Sequence, residues 1–522
     1  MLYKLAKVER KLCLKRSFGK LRWAWRRVFF KSLEVGNGIN KHMLIVGESG
    51  SGKSNAAKNI VKMLSEKGAS FALFDPHDEY IDLAGAIGAK VYDASYIGTN
   101  IFELGGMSIK EKSSELTELF RRIFKLGEVQ SNILYRLISY TYSIYAEEGK
   151  TPTIGSIIYS AKVFKRHADK KELSILDALE KRLALANEFA TKTIDAEVLM
   201  HSKSIFALSS LHTSEAQALY IEGFLRKIYT SMLASEKNSY NFYIVIDEAE
   251  KLGESKILAR LANEGRKYGI GIMAIAQHAK RVEKSLRGNA SLVLAFYQRE
   301  PEELNYVANM IAGGNELERF VEVKKMLRNL KQGQAVAMQQ SEPMLIRFSI
   351  FKGKEDPSYY IFKLAKEPIK EEELLEKMKE KGFAEEEVML SLNELTKSKM
   401  LGLYELKSSI YRGRYYMKSS RNGSEHDIVV NIMGMFLKKK GIGNKIYNTS
   451  YGPDIIARIN GVKVAIEYET GKKELSSTEE MLSKRRDSFK RVILVANDSA
   501  KERYKGIKID GVEVLSLSEF LS

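Results

Sequence analysis

The sequence predicts an α/β fold built on a largely parallel sheet, with smaller helical and mixed units after it. Three observations carry this. Short apolar runs recur at 43–46, 71–74, 204–208, 242–246, 270–276 and 292–296, and helical patterns separate them, which is the signature of strands joined by crossover helices. The first run, Met43-Leu44-Ile45-Val46, passes straight into Gly47-Glu48-Ser49-Gly50-Ser51-Gly52-Lys53-Ser54, and a helix-compatible stretch from Asn55 to Lys67 leaves it. A later run, Tyr243-Ile244-Val245-Ile246, ends in the two carboxylates of Asp247 and Glu248.

The eight residues from Gly47 fit G-x-x-x-x-G-K-[ST], the phosphate-binding loop of P-loop NTPases. Glycines let the backbone curl so that successive N–H groups point at phosphate oxygens, and the helix N-terminus adds its positive end. Residues 47–55 are therefore the expected nucleoside-triphosphate-binding set. Lys53 would reach the β- and γ-phosphates, and the Ser54 hydroxyl would hold Mg2+. Asp247 is the second expected Mg2+ contact and Glu248 the expected general base that polarises the attacking water.

At 522 residues the chain is too long for a single core. Its 84 Lys and Arg against 66 Asp and Glu give a net charge of +18, which favours a polyanionic partner, nucleic acid above all. Cys13 is the only cysteine; an intrachain disulfide and a cysteine-based zinc site are excluded, and a reducing cytoplasm is the expected location. No apolar run is long enough to predict a membrane span, and no signal peptide is expected. Residues 1–37 form a basic N-terminal segment, with eleven Lys or Arg against Glu9 in the first 33 and Trp23, Trp25, Phe29 and Phe30 interleaved. Two readings stand: a basic amphipathic helix on DNA or on an anionic membrane surface, or a solvated helix packing its aromatics on the core.

Residues 38–350 read as one unit, with a helical insertion over about 107–200. In it Tyr135, Ile138, Tyr142 and Tyr145 recur at helical spacing, a stripe expected to be core. Residues 367–418 form an α+β module: helices Glu371–Lys381 and Ala384–Lys397, then a hairpin over 401–406 and 411–416. Helices followed by a basic hairpin resemble a winged-helix domain, with Arg412, Arg414 and Lys418 where a wing would meet phosphates. The helices are acidic, so contact with a protein is the equal alternative. Gly413–Gly423 is the expected linker to a last unit, 424–522.

Further residues narrow the class. Asn263-Glu264-Gly265-Arg266-Lys267-Tyr268-Gly269 leads into strand 270–276 and Gln277; Asp75-Pro76-His77-Asp78-Glu79-Tyr80 follows the second strand; Asn289-Ala290 precedes strand 292–296. This resembles the HerA/FtsK superfamily of ring-forming DNA pumps, in the branch of HerA-like helicases and conjugative coupling ATPases. The resemblance covers about residues 38–350 and implies a RecA-like core, duplex DNA as partner and a homo-hexamer. It makes Gln277 the sensor of the γ-phosphate and Arg266 an arginine finger reaching the neighbouring subunit's ATP. Asp75 and His77 would contact the nucleotide or a neighbouring subunit. The alternatives are an exposed helix-end arginine for Arg266 and a capping turn for Asp75. HerA helicases carry a β-barrel before the P-loop and coupling ATPases usually carry membrane helices. This chain has only its basic segment there.

The last unit orders a helix (Glu425–Lys440), Gly452-Pro453-Asp454, a strand pair (454–459 and 462–468), Glu467-Tyr468-Glu469, a helix (Thr478–Arg486) and a strand (Arg491–Val495). It resembles the PD-(D/E)xK nuclease core, a restriction-endonuclease-like α/β fold. That resemblance implies Asp454 and Glu467 on adjacent strands sharing Mg2+ or Mn2+, with Glu469 where the family has Lys. Lys472 or Lys484 would supply the missing charge, and Glu425 is a further candidate ligand. Lys438–Lys440 and Lys484-Arg485-Arg486 would pair with phosphates. The expectation is an ATP-driven DNA translocase or helicase coupled to a metal-dependent nuclease, for DNA processing or mobile-element transfer. The alternative is a DNA-pumping coupling or packaging ATPase whose last domain binds DNA, or a nuclease or transfer-machinery partner, without cutting. A third is an NTP-dependent switch without translocation.

Overall fold

The computed structural model describes residues 6–17, 20–27, 41–186, 192–237, 239–313, 317–339, 342–406, 411–418, 424–447 and 452–522. They divide into two units, Met1–Glu355 and Asp356–Ser522.

The first unit is organised by an eleven-stranded sheet. Seven neighbouring strands run parallel, in the order Leu292–Ala295, Met43–Val46, Ile270–Ala276, Phe242–Ile246, Ser70–Asp75, Lys203–Ala207, Lys90–Asp93. The six expected apolar runs are all here. Their near-continuous apolar character follows from burial on both faces: Leu44, Ile45, Leu73, Ile244, Val245, Met273 and Leu294 are all fully buried. The order also sets the site. The strands ending in the phosphate loop, in Gln277, in Asp247 and in Asp75 are four consecutive neighbours, so their C-terminal ends share one edge of the sheet, where ligands of open α/β sheets bind.

Beyond Leu292–Ala295 the sheet turns antiparallel through Gln334–Gln339, Glu342–Phe348, Ala6–Ser17 and Lys20–Arg27. This corrects the helix expected in the basic N-terminal segment. Ala6–Ser17 pairs with Glu342–Phe348 and then with Lys20–Arg27, with Leu12 opposite Trp25 and Leu14 opposite Trp23. The physical reason is the period: Lys11-Leu12-Cys13-Leu14-Lys15 and Leu21-Arg22-Trp23-Ala24-Trp25-Arg26 alternate every second residue, a strand pattern rather than a helical one. Phe29, Phe30 and Lys31 lie outside the described residues.

Residues 109–186 hold four helices, Ile109–Phe124, Glu128–Glu147, Ile154–Lys165 and Lys170–Ala186. A Ser108/Glu111 capping box starts the first helix. Phe102, Phe120, Leu134, Ile138, Tyr142 and Leu179 share one core. Tyr135 and Tyr145 are half-buried at its margin.

In the second unit, helices Glu371–Glu380 and Glu385–Lys397 precede a hairpin, Leu401–Leu406 with Gly413–Lys418, and Ile369–Lys370 adds a short third strand. Residues 413–418 are thus strand, not linker; 419–423 lie outside the described residues. Leu406, Tyr415 and Met417 pack in one core with Ile428 and Met433 of the helix Ser424–Lys439, so the hairpin and the last α/β unit are continuous. Of the expected wing cations, Arg412 is exposed, Arg414 faces Glu371 at 3.6 Å and Lys418 lies over the Phe362 ring. The last sheet has five strands, Asn444–Ile446, Ile455–Ile459, Val462–Glu469, Arg491–Ala496 and Val512–Ser516; the first three are antiparallel and the last three parallel. Among the described residues no helix is long and apolar enough to cross a membrane.

Candidate active site

The phosphate loop closes through its own backbone. Gly52 sits at φ 110°, a conformation open to glycine, and a Cβ there would stand 3.1 Å from the backbone of Gly333. Ser51 Oγ donates to the Glu48 carbonyl at 2.6 Å, and Lys53 Nζ donates to the same carbonyl at 2.9 Å, which lays the lysine back over the loop. The Glu48 carboxylate accepts the Arg299 N–H. Ser49, Gly50, Gly52, Lys53 and Ser54 line a cavity of about 280 Å3 together with His77, Glu79, Asp247, Glu248, Gln277 and Gln332. Asn55 also lines it, but its side chain is committed elsewhere: Nδ2 donates to the Ser349 carbonyl at 2.9 Å and Oδ1 accepts the Phe351 N–H at 2.7 Å. Burial pulls the Lys53 ammonium below its ordinary value, against the opposing charges of Asp247, Glu250, Glu79 and Glu248.

Asp247 is 8% exposed. Its Oδ2 accepts the Tyr80 hydroxyl at 3.0 Å and its Oδ1 the Glu248 N–H at 2.8 Å. Burial pushes its carboxyl up to about 6 in spite of these bonds. A buried carboxylate that accepts neutral donors, beside a serine hydroxyl and an open cavity, suits a cation; Ser54 and Asp247 therefore fit Mg2+. Glu248 follows in a left-handed conformation, φ 54° and ψ 43°, and its carboxylate meets His77 Nε2 at 3.1 Å and the Lys251 ammonium.

Asp75 is fully buried and holds the turn after its strand: Oδ1 accepts the N–H groups of His77 and Glu79, and Oδ2 that of Tyr80. Burial raises its carboxyl to about 7. The capping alternative thus describes Asp75. The turn it builds delivers His77 to Glu248 and Tyr80 to Asp247, contacts that no spacing in the sequence signals. Gln277 lies at the cavity, with its N–H on Glu250 Oε1 at 2.8 Å. Arg266 is exposed in the short turn Gly265–Tyr268 before strand Ile270–Ala276. Gly269 ends that turn at φ 83°, where a Cβ would fall 1.9 Å from the Tyr240 carbonyl oxygen. The seven-residue strand separates Arg266 from its own phosphate cavity by about 20 Å.

In the second unit Asp454, Glu467 and Glu469 come together. Asp454 precedes strand Ile455–Ile459 rather than lying on it. Its N–H donates to Glu467 Oε2 at 3.3 Å, and its Oδ2 accepts the Tyr468 N–H at 2.8 Å and faces His426 Nε2 at 3.2 Å. Arg485 Nε donates to Glu467 Oε1 at 2.5 Å, and Lys473 pairs with Glu469. Burial and the Asp454 charge push Glu467 up to about 7 against Arg485. Burial opposes the charge on His426, but Asp427 and Asp454 outweigh it and hold the imidazole up to about 10.

The nearby lysine is therefore Lys473, not Lys472 or Lys484; Lys484 pairs with Glu480 at 2.6 Å. Arg485 is directed at Glu467, and Arg486 donates to the carbonyls of Asp510 and Phe489. Glu425 accepts from Asn497 at 2.9 Å and from the Tyr468 hydroxyl, and is not paired with Asp454; His426 is. As arranged, these carboxylates do not fit a metal ion, because a protein cation faces each of them. Among the described residues no group of three or more His, Cys, Asp or Glu is disposed to hold one.

A phosphate loop after a parallel strand, with a strand-end Asp-Glu pair on the same cavity, defines a P-loop ATPase. Residues 31–258 match the family model described as Helicase HerA, central domain, and this part of the chain is a HerA-like P-loop ATPase. The chain is 26% identical over 359 residues to the DNA double-strand break repair helicase HerA of Sulfurisphaera tokodaii, covering 64% of this chain and 71% of that protein. It is 26% identical over 272 residues to the DNA import protein CedB of Sulfolobus acidocaldarius, covering 48% of this chain and 42% of that one. Among solved structures, the plasmid coupling protein TrwB in complex with the non-hydrolysable GTP analogue GDPNP superposes with a TM-score of 0.49 at 14% identity, over 67% of this chain and 97% of that one.

Proposed function

We propose that this chain is an ATP-driven DNA translocase of the HerA kind. The observation that carries the reading is the convergence of Lys53, Ser54, Asp247, Glu248 and Gln277 on one cavity, in a stretch matching the HerA central domain. Lys53 binds the β- and γ-phosphates, Glu248 accepts the proton of the attacking water, and Gln277 reports the γ-phosphate to the segment beyond it. Ser54 and Asp247 would hold Mg2+, which neutralises phosphate charge when bound. Arg266 stands at the opposite end of its strand from its own cavity. That supports a role in trans, and with it a closed ring, a hexamer in our reading, around duplex DNA. The net charge of +18 suits that partner. The test is ATP turnover with and without linear duplex DNA. DNA should accelerate it, and Lys53→Ala and Glu248→Gln should abolish it; turnover indifferent to DNA removes the translocase reading.

For the last unit, the order of helix, Asp454, strand pair, Glu467-x-Glu469, helix and strand supports a nuclease-like domain. The ion pairs favour the second reading, in which it engages DNA or a partner without cutting: His426, Arg485 and Lys473 neutralise Asp454, Glu467 and Glu469. Linear and branched DNA incubated with Mg2+ or Mn2+ should stay intact. Cutting that disappears in Asp454→Ala would restore the nuclease reading.

A further inference from the structure

Each carboxylate oxygen of Glu248 faces a basic side chain as an ion-pair contact, although Oε2 is buried without a well-aligned hydrogen bond. Oε1 stands 3.1 Å from His77 Nε2, and Oε2 pairs with Lys251 Nζ. The backbone that presents it has little freedom. Glu248 lies in the left-handed region, its N–H is bound to Asp247 Oδ1, and its carbonyl accepts the Lys251 N–H at 2.9 Å. Lys251 is itself anchored, because Nζ also donates to Gln217 Oε1 at 2.9 Å. Gln217 is buried on the helix Ser214–Leu233, and its Nε2 donates to the carbonyls of Leu208 and Leu211, each at 3.2 Å. The next residue of the same turn, Leu252, accepts from Arg122 of the helical insertion, whose other terminal nitrogen meets the fully buried Glu222.

A general base must offer a lone pair to the incoming proton. A carboxylate held against an ammonium and an imidazole turns its oxygens to those groups rather than to a water in the cavity.

We propose that Lys251 and His77 are positioning residues that hold Glu248 in a resting ion pair, with Lys251 the arm that must open before water can be activated. The proposal rests on the reading of Glu248 as general base. Gln217 gives Lys251 a second acceptor that is present whether or not the arm is closed, so opening need not strand the ammonium. The pair is about one-quarter exposed on the lysine side, which places its strength in the range of partly exposed ion pairs and makes its loss worth about fivefold in rate.

The test is steady-state ATP hydrolysis by the full chain without DNA. Lys251→Met should raise kcat about fivefold with KM for ATP unchanged, and should shrink the stimulation by duplex DNA by the same factor. Lys251→Arg should restore both values. A merely structural role would lower kcat instead. Unchanged or lower turnover in Lys251→Met, with Glu248→Gln inactive, overturns the proposal. Full hydrolysis in Glu248→Gln overturns the base assignment itself. Should Lys251→Met fail to fold, His77→Ala carries the test, since that imidazole lies on an exposed turn; it should raise kcat in the same way, and unchanged or lower turnover overturns the proposal equally.

Discussion

Replacing Asp247 with Asn should stabilise the protein without nucleotide while destroying its use of ATP. In the folded state burial raises the Asp247 carboxyl from 3.8 to about 6; in the unfolded chain it titrates at its ordinary value. The folded state therefore binds the proton more tightly. Below about pH 3 both states are protonated and the group costs nothing. As pH rises from there to about 6 the folded state is penalised, and above that the penalty is complete. A difference of about two units is worth about 3 kcal/mol.

Asn carries no charge, keeps an oxygen for the Glu248 N–H and places an amide beside the Tyr80 hydroxyl. For a unit ending at Glu355, an unfolding entropy of about 0.75 kcal/mol per kelvin converts 3 kcal/mol into a Tm rise of about 4 °C. The assay is thermal unfolding in EDTA at pH 8 and at pH 4.5. The Asn variant should melt about 4 °C higher at pH 8, and its advantage should shrink to about 1 °C at pH 4.5. Adding Mg2+ and ATP should raise the parent's Tm and leave the variant's nearly unmoved. A variant no more stable at pH 8, or one whose advantage does not shrink with acid, refutes the reasoning.

Two further outcomes follow from the geometry. Arg266→Ala should lower DNA-stimulated hydrolysis about 10³-fold, the scale of an arginine finger, with nucleotide binding retained. Mixing it with Lys53→Ala should recover part of the activity, because one variant supplies the arginine and the other the intact loop; a mixture as inactive as its components would place Arg266 outside catalysis. Glu222→Ala should destabilise the first unit by about 3–5 kcal/mol by leaving Arg122 and Arg226 without their buried counter-charge, read as a lower denaturant midpoint.

The ATPase centre was legible in the sequence because its chemistry is local. The phosphate loop is eight consecutive residues, the Asp247-Glu248 pair ends an apolar run, and each parallel strand is apolar along its whole length. What escaped the sequence is what tertiary packing assembles. Tyr80 meets Asp247 and His77 meets Glu248 only because two strands are sheet neighbours and Asp75 folds the turn between them. Lys251 reaching Gln217 and His426 reaching Asp454 likewise join residues 34 and 28 positions apart. The N-terminal hairpin was hidden differently. Its dense positive charge resembles an amphipathic helix, and its period-two alternation was the signal that distinguishes them. In the last unit the strand pair was readable, but the identity of the cations facing its carboxylates was not, because Arg485 arrives from a helix 18 residues away from Glu467.

The central claim is that ATP hydrolysis at the Lys53–Glu248 cavity drives movement on DNA. It is tested most directly by displacement of a third strand from a linear duplex, which reads translocation without requiring strand separation. The parent chain with Mg2+ and ATP should displace the third strand, and Glu248→Gln should bind the same DNA without displacing it. Displacement that persists in Glu248→Gln, or none by a parent that hydrolyses ATP on that DNA, would contradict the account.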